Sequence, residues 1–330
     1  MKKILALLLA LFMFVATFTG CADENPGKQD PNNEDNQPPV QDTENPATDF
    51  RYEENSQGGI TITSFVGNDT DIIIPAKIDE KDVTYIGDSA FRGRDAIVSV
   101  TMPDTIVGIN TCAFAECDSL ATVKLSQNLT HISNGAFKDD KSLTSVVLPS
   151  SLTMVGSFAF QNCISLKHIN IPKSLTEWHS HAFAQCSLET IEFEEGLETI
   201  GFSAFSNTKI KHINLPKSLT KIEASAFSGC SELETIALNE GLVTIEDLAF
   251  AGKSKLKEIT IPASVNSLTE LAFTQCGSLE KVIFEGNAPS DFKSNDPLIP
   301  VKDVNYTIYY HEGAEGFTSP EWNGYPTEIW

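Results

Sequence analysis

The chain has 330 residues and carries 45 Asp and Glu against 23 Lys and Arg, a formal net charge of -22 at pH 7. A surface this acidic repels phosphate backbones and argues against nucleic acid as a partner. It keeps a long exposed array soluble, and any basic patch it steers inward loses that attraction in salt.

Lys2 and Lys3 form a charged start, Ile4 to Val15 is an uncharged apolar run, and Phe18-Thr19-Gly20-Cys21 follows. This pattern reads as a secretory signal over residues 1–20, with an apolar run too short for a comfortable membrane span. Small residues ahead of a cysteine resemble a bacterial lipoprotein cleavage box, although Phe18 stands where Leu is usual. The resemblance implies cleavage before Cys21, acylation of its thiol and new amino group, and a lipid anchor there, held by more than one acyl chain. The alternative is a plain secretory signal with an incidental cysteine. Cleavage would remove Lys2 and Lys3 and take the formal charge from -22 to -24.

Residues 21–49 read as an acylated cysteine followed by an acidic tether. Ala22 to Asp49 holds five Pro, five Asn and eight acidic residues against one Lys. Such a stretch buries too little apolar surface to offset chain entropy and is expected to be disordered. Its span would be roughly 30 Å, enough to lift a folded domain off lipid.

From there on, Ala-Phe recurs nine times, at Ala90-Phe91, Ala113-Phe114, Ala136-Phe137, Ala159-Phe160, Ala182-Phe183, Ala204-Phe205, Ala226-Phe227, Ala249-Phe250 and Ala272-Phe273, in steps of 22 or 23 residues. A period in the low twenties predicts a solenoid of stacked coils rather than an enzyme core with a cleft or a strand-crossover switch point. Within one coil, Leu166, Ile169 and Ile171 alternate with polar residues, the period of a strand with one buried face. Pro172 ends that strand because it has no amide hydrogen to donate. A second apolar pair, such as Ile86-Gly87 or Val155-Gly156, precedes Ala-Phe, which is expected on a short helical or 3-10 turn. Ala would permit close approach of the coils and Phe would fill the centre. Stacking would align Val100, Val123, Val146, Ile169, Ile191, Ile213, Ile236, Ile259 and Val282 in one long parallel sheet. A coil cannot hide its apolar face alone, so both ends need caps. The expected division is an N-terminal capping unit at 50–95, repeats at 96–285 and an aromatic C-terminal capping unit at 286–330.

The pattern Ile-Gly-x-x-Ala-Phe-x-x-Cys-x-Ser-Leu-x-x-Ile-x-Ile-Pro-x-Ser-Leu resembles the BspA-like leucine-rich repeats of bacterial surface proteins, over residues 60 to 285. Ile72-Ile73-Ile74-Pro75 and Glu285-Gly286-Asn287-Ala288-Pro289 resemble that family's flanking units. The resemblance implies a right-handed, curved leucine-rich-repeat solenoid, placed by convention in the α/β class although mostly β, on the bacterial cell envelope. It also implies adhesion to host proteins or other cells. Trp178-His179 replaces the usual Ile-Gly, and Asp140, Thr208 and Lys253 stand in the Cys column.

No catalytic set, metal cluster or cofactor motif emerges, and no cofactor is expected. The Ser residues belong to the repeated Ser-Leu turn, and Glu194-Glu195 reads as turn chemistry before an acid–base pair. Cys117, Cys163, Cys186, Cys230 and Cys276 read as small buried thiols. Only Cys163 and Cys186 lie on adjacent coils, and a bond between them stays open. His179 and His181 lack a third ligand for a metal. Outward strand positions vary while inward ones hardly do, which marks them as a recognition face. Lys124, His168, Asn170, Thr190, Glu192, His212, Asn214 and Glu258 are its candidate residues. The exit segment offers an alternative, with Tyr309, Trp322 and Tyr325 able to stack on a glycan, unless these aromatics only seal the last coil. The expectation is a monomer, lipid-anchored through Cys21, that binds an extracellular or host protein; a passive spacer is the remaining reading.

Overall fold

Alternating apolar and polar residues give strands of two to six residues that pair in register from one coil to the next. The computed structural model describes residues 43–252, 254–293 and 306–330. The signal segment, Cys21 and the tether up to residue 42 lie outside the described residues.

The front ladder carries the column anticipated from Val100 onward. Asp71–Ile73, Ser99–Thr101 and Thr122–Lys124 pair in parallel, with Val100 opposite Val123. His168–Ile171 pairs with Thr190–Phe193, and His212–Asn214 with Thr235–Ala237. Glu258–Ile261, Lys281–Phe284, Thr307–Tyr310 and Tyr325–Ile329 close the series. This ladder is interrupted ahead of the rungs that end in Pro172, Pro216 and Pro262. Where the rung ends in Glu instead, its amide extends the pairing: the Glu194 and Glu285 N–H groups donate to the Ile171 and Ile261 carbonyls at 3.0 Å. Proline has no such donor, and the described front rungs divide into groups of three, two, two and four, although the rung that ends in Pro103 still pairs with Asp71–Ile73.

A second parallel ladder runs behind the first. It is built from two-residue strands at the Ile-Gly pairs: Gly108–Ile109, His131–Ile132, Met154–Val155 and Glu177–Trp178, then Thr199–Ile200, Lys221–Ile222 and Thr244–Ile245. Its gap falls after Trp178, where Gly201 makes room: a Cβ there would lie 2.4 Å from the Trp178 Cβ.

The Ala-Phe turns supply a third line of inter-coil bonds. The Phe114, Phe137 and Phe160 amides donate to the Ala136, Ala159 and Ala182 carbonyls of the next coil at 2.7–2.8 Å. These segments are turns rather than the helical pieces expected, and only Glu270–Phe273 is a 3-10 helix among the repeats described. The reason is a left-handed residue on each side of Phe, as at Phe158 and Asn162 (φ 61° and 62°), which swings amides toward the neighbouring coil and stops helical propagation.

Phe65, Phe91, Phe114, Phe137, Phe160, Phe183, Phe205, Phe227, Phe250 and Phe273 form one continuous stack, with successive ring centroids 4.7–5.7 Å apart and interplanar angles no larger than 17°. Each repeat Ala beside them is buried. The repeated Ser is equally structural: Ser174, Ser218 and Ser264 hydroxyls donate to the carbonyls of Leu152, Leu197 and Leu242 one coil back.

The N-terminal cap begins earlier than composition indicated. Residues 43–49, assigned to the tether, dock onto the first rung: the Asn45 amide donates to the Ile73 carbonyl at 2.9 Å, and Asn45 Oδ1 accepts the Ile73 N–H at 2.8 Å. Asn45 thereby pairs the open edge of the front ladder, a role that residue counting cannot show. Phe50–Glu54 then forms an antiparallel pair with Ile60–Phe65 at the head of the back ladder. At the other end, Glu321–Trp322 folds antiparallel onto Tyr325–Ile329.

Candidate binding face

The strand period decides which side chains face solvent. Along the front rungs Val123, Ile169, Ile213 and Ile259 point inward and are buried. Lys124, His168, Thr190, Glu192, His212, Asn214 and Glu258 point outward and are exposed. These seven therefore lie on one surface, as the alternation predicted.

Asn170 lies on the same surface but is committed to the scaffold. Its Nδ2 donates to the Leu148 carbonyl at 2.8 Å and its Oδ1 accepts the Leu148 N–H at 2.9 Å. That is the bonding of a missing strand pair, made by a side chain across the gap that Pro172 leaves in the ladder. Its part in ligand contact is corrected accordingly. Asn170→Ala should destabilise the array by about 1–2 kcal/mol by leaving both Leu148 groups unpaired, measured by urea unfolding.

The histidines are oriented in the same way on alternate rungs. His168 Nδ1 bonds Thr190 Oγ1 on the next rung, and His212 Nδ1 bonds Thr235 Oγ1 at 2.8 Å. Each ring keeps its other nitrogen for a partner.

A pattern missed in the sequence becomes plain on this surface. Ahead of the strands, the exposed column reads Lys167, Glu189, Lys211, Glu234, Lys257, Glu280, and behind them Lys173, Glu195, Lys217, Glu240. Charge alternates from rung to rung, so unlike charges meet along each column. In the first column Lys167 pairs with Glu189 at 3.3 Å, and beside it Lys255 pairs with Glu232 at 2.6 Å. Exposed pairs of this kind add little stability, but like charges stacked one strand spacing apart would repel. An open groove crosses the rungs of Thr235–Ala237, Glu258–Ile261 and Lys281–Phe284, lined by Thr235, Ala237, Lys257, Glu258, Thr260 and Lys281. The signal for these residues was present in the alternation of Lys and Glu at a two-coil period, double the interval that Ala-Phe displays.

The other proposed sites resolve as scaffold. Cys163 and Cys186, whose bonding was open, are free thiols, as are Cys112, Cys117, Cys230 and Cys276. Their Sγ atoms donate backward to the Phe137 and Phe160 carbonyls at 3.1 Å, and burial pushes the Cys163 thiol up. His181 stacks on Phe158 with centroids 5.3 Å apart, and no group of three metal-ligating side chains converges among the described residues. Glu194 and Glu195 are turn residues: their carboxylates accept the Lys173 and Lys217 amides. Trp322 and Tyr325, offered for glycan stacking, are buried in the C-terminal cap among Phe284, Phe292, Phe317 and Tyr306, and Tyr309 is half-buried. Sealing an open parallel edge uses those faces, so Trp322 and Tyr325 offer none to a sugar.

Comparison with known proteins agrees with this architecture. The family model described as BspA type Leucine rich repeat region matches in six copies, over residues 68–189 and 177–291. A leucine-rich repeat protein from Bacteroides ovatus is 26% identical, with 79% of this chain and 70% of that chain covered and a TM-score of 0.67. The leucine-rich repeat protein of T. pallidum is 30% identical over 58% of this chain and 91% of that chain, with a TM-score of 0.55. A search of curated proteins returns no match.

Proposed function

Because the chain belongs to the BspA-type leucine-rich repeat family, we propose that it is a lipid-anchored envelope protein that binds an extracellular protein through the outer side of its front ladder. The observation that carries this reading is the contrast along single strands. Inward positions are Val or Ile on rung after rung, while the outward neighbours vary among Lys, His, Ser, Thr, Asn, Glu and Ala, with Val147 and Ile283 the apolar exceptions. Stacking alone constrains the first set; a solenoid's extended recognition surface is assembled from the second. Affinity would come from polar contacts spread over several rungs, with the oriented His168 and His212 rings and the cations Lys257 and Lys281 as specific points. The family and its fold are typically scaffolds without catalysis. Cys21 supplies the anchor in this reading, and the acidic segment after it supplies reach.

The test is capture of candidate extracellular proteins by the purified protein at two salt concentrations. His168, Glu192 and His212 changed together to Ala, with Lys257→Glu and Lys281→Glu as a second set, should each weaken capture by about tenfold or more while circular dichroism stays unchanged. Capture that is equal for wild type and both variant sets would remove the front surface as the binding site. Association through the charged columns should also slow as salt rises.

A further inference from the structure

We propose that Asp140 holds a proton on Oδ2 in the folded protein and donates it to the Phe114 carbonyl, as a latch between coils that loosens when pH rises. The inference starts from the column Asp140 occupies. In four coils the thiol at this place reaches the carbonyl of the repeat Phe 26 positions earlier: Cys117 to Phe91, Cys163 to Phe137, Cys186 to Phe160 and Cys276 to Phe250, all at 3.1 Å. Counting back by the same 26 positions from Asp140 leads to Phe114.

Phe114 lacks its local donor as well. In four other coils the amide of the column residue donates to its own coil's Phe carbonyl: Asp140 to Phe137, Cys163 to Phe160, Cys230 to Phe227 and Cys276 to Phe273. The Cys117 amide is instead drawn to Asp140 Oδ1 at 2.9 Å. Among the described residues no donor reaches the Phe114 carbonyl, and the fully buried Asp140 has no partner for Oδ2. One proton satisfies both groups; an ionised carboxylate would satisfy neither and would face the carbonyl dipole.

The surroundings favour the neutral form. Burial first, and then Asp139, Asp118 and Glu116, push Asp140 up to about 9, against the Cys117 amide, which pulls it down. The cations nearby are spoken for: Arg92 pairs with Glu116, Lys138 with Asp139 and Lys141 with Asp118. The coil that follows offers the Cys163 thiol and Asn162, whose amide donates to Asp139. The unfolded carboxyl titrates near the ordinary value of about 3.9. Between that value and about 9 the native state holds a proton the unfolded state has lost. The latch therefore acts fully in acid and weakens as pH rises, with the unfolding equilibrium constant growing about tenfold per pH unit from this group.

The experiment compares urea unfolding of the full-length protein with Asp140→Asn and Asp140→Cys between pH 5 and 8. Both substitutions supply a permanent donor, so the ratio of wild-type to variant unfolding constants should rise about tenfold per unit. Parallel pH profiles would overturn the proposal. A carboxyl-carbon resonance of Asp140 in the wild type gives a readout independent of any variant's folding. A neutral carboxyl signal at pH 7 is expected, and titration near pH 4 would overturn it.

Discussion

Phe160→Ala should cost about 3–5 kcal/mol, the largest single-residue loss expected outside the titrating site. The ring lies fully buried between Phe137 and Phe183, with centroids 5.0 and 5.1 Å away. Truncation removes dispersion contacts on both faces and leaves a cavity that the flanking rings cannot fill. They are pinned by backbone: the Phe137 amide donates to the Ala159 carbonyl, the Phe183 amide to the Ala204 carbonyl, and the Phe137 carbonyl accepts the Cys163 thiol. A stack of coils is close to a one-dimensional array, so the damage should be local at first. Hydrogen exchange should show lost protection in the coils of Phe137, Phe160 and Phe183, with Phe250 and Phe273 still protected. Uniform loss along the array, or a cost below about 1 kcal/mol, would contradict the stack as the central support.

Gly156→Ala should destabilise by about 1–3 kcal/mol, toward the top of that range because the obstacle is backbone. A Cβ on Gly156 would lie 2.5 Å from the Asn134 nitrogen and 2.6 Å from the Ser133 carbonyl carbon. The Gly156 amide also donates to the Ile132 carbonyl at 2.7 Å, so the coil cannot back away without losing that bond. Gly277→Ala is the control, since a Cβ there meets nothing within 4 Å. Chemical denaturation should separate the two clearly; equal midpoints would show that the coils yield at the back ladder.

Much of this was legible in the chain. The Ala-Phe interval announced the stack because a ring of fixed size at a fixed interval can be buried only by the copies of itself before and after it. The alternation around Ile169 announced which side chains would face outward, because a strand offers its side chains only two directions. Other features were closed to inspection. Asn170 stands among the variable outward residues, and nothing near it in the chain tells that its amide is bound to Leu148, 22 positions earlier. Trp322 and Tyr325 read equally well as a sugar platform or as a lid, because composition does not say which face is covered. The Ala-Phe turn looked helical from its residues; the left-handed residues flanking it are held by bonds to the next coil, which exist only once the coils are stacked.

The sequence by itself determined the repeat interval, the buried columns and the identity of the outward residues, because each follows from side-chain size and from periods of 2 and of 22 or 23 along one chain. Tertiary structure alone decided where the front ladder is interrupted, which polar groups are consumed by neighbouring coils, and why Asp140 Oδ2 is buried without a partner. Those outcomes rest on distances between residues 22 to 26 positions apart, and such distances come into being only when one coil lies on the next.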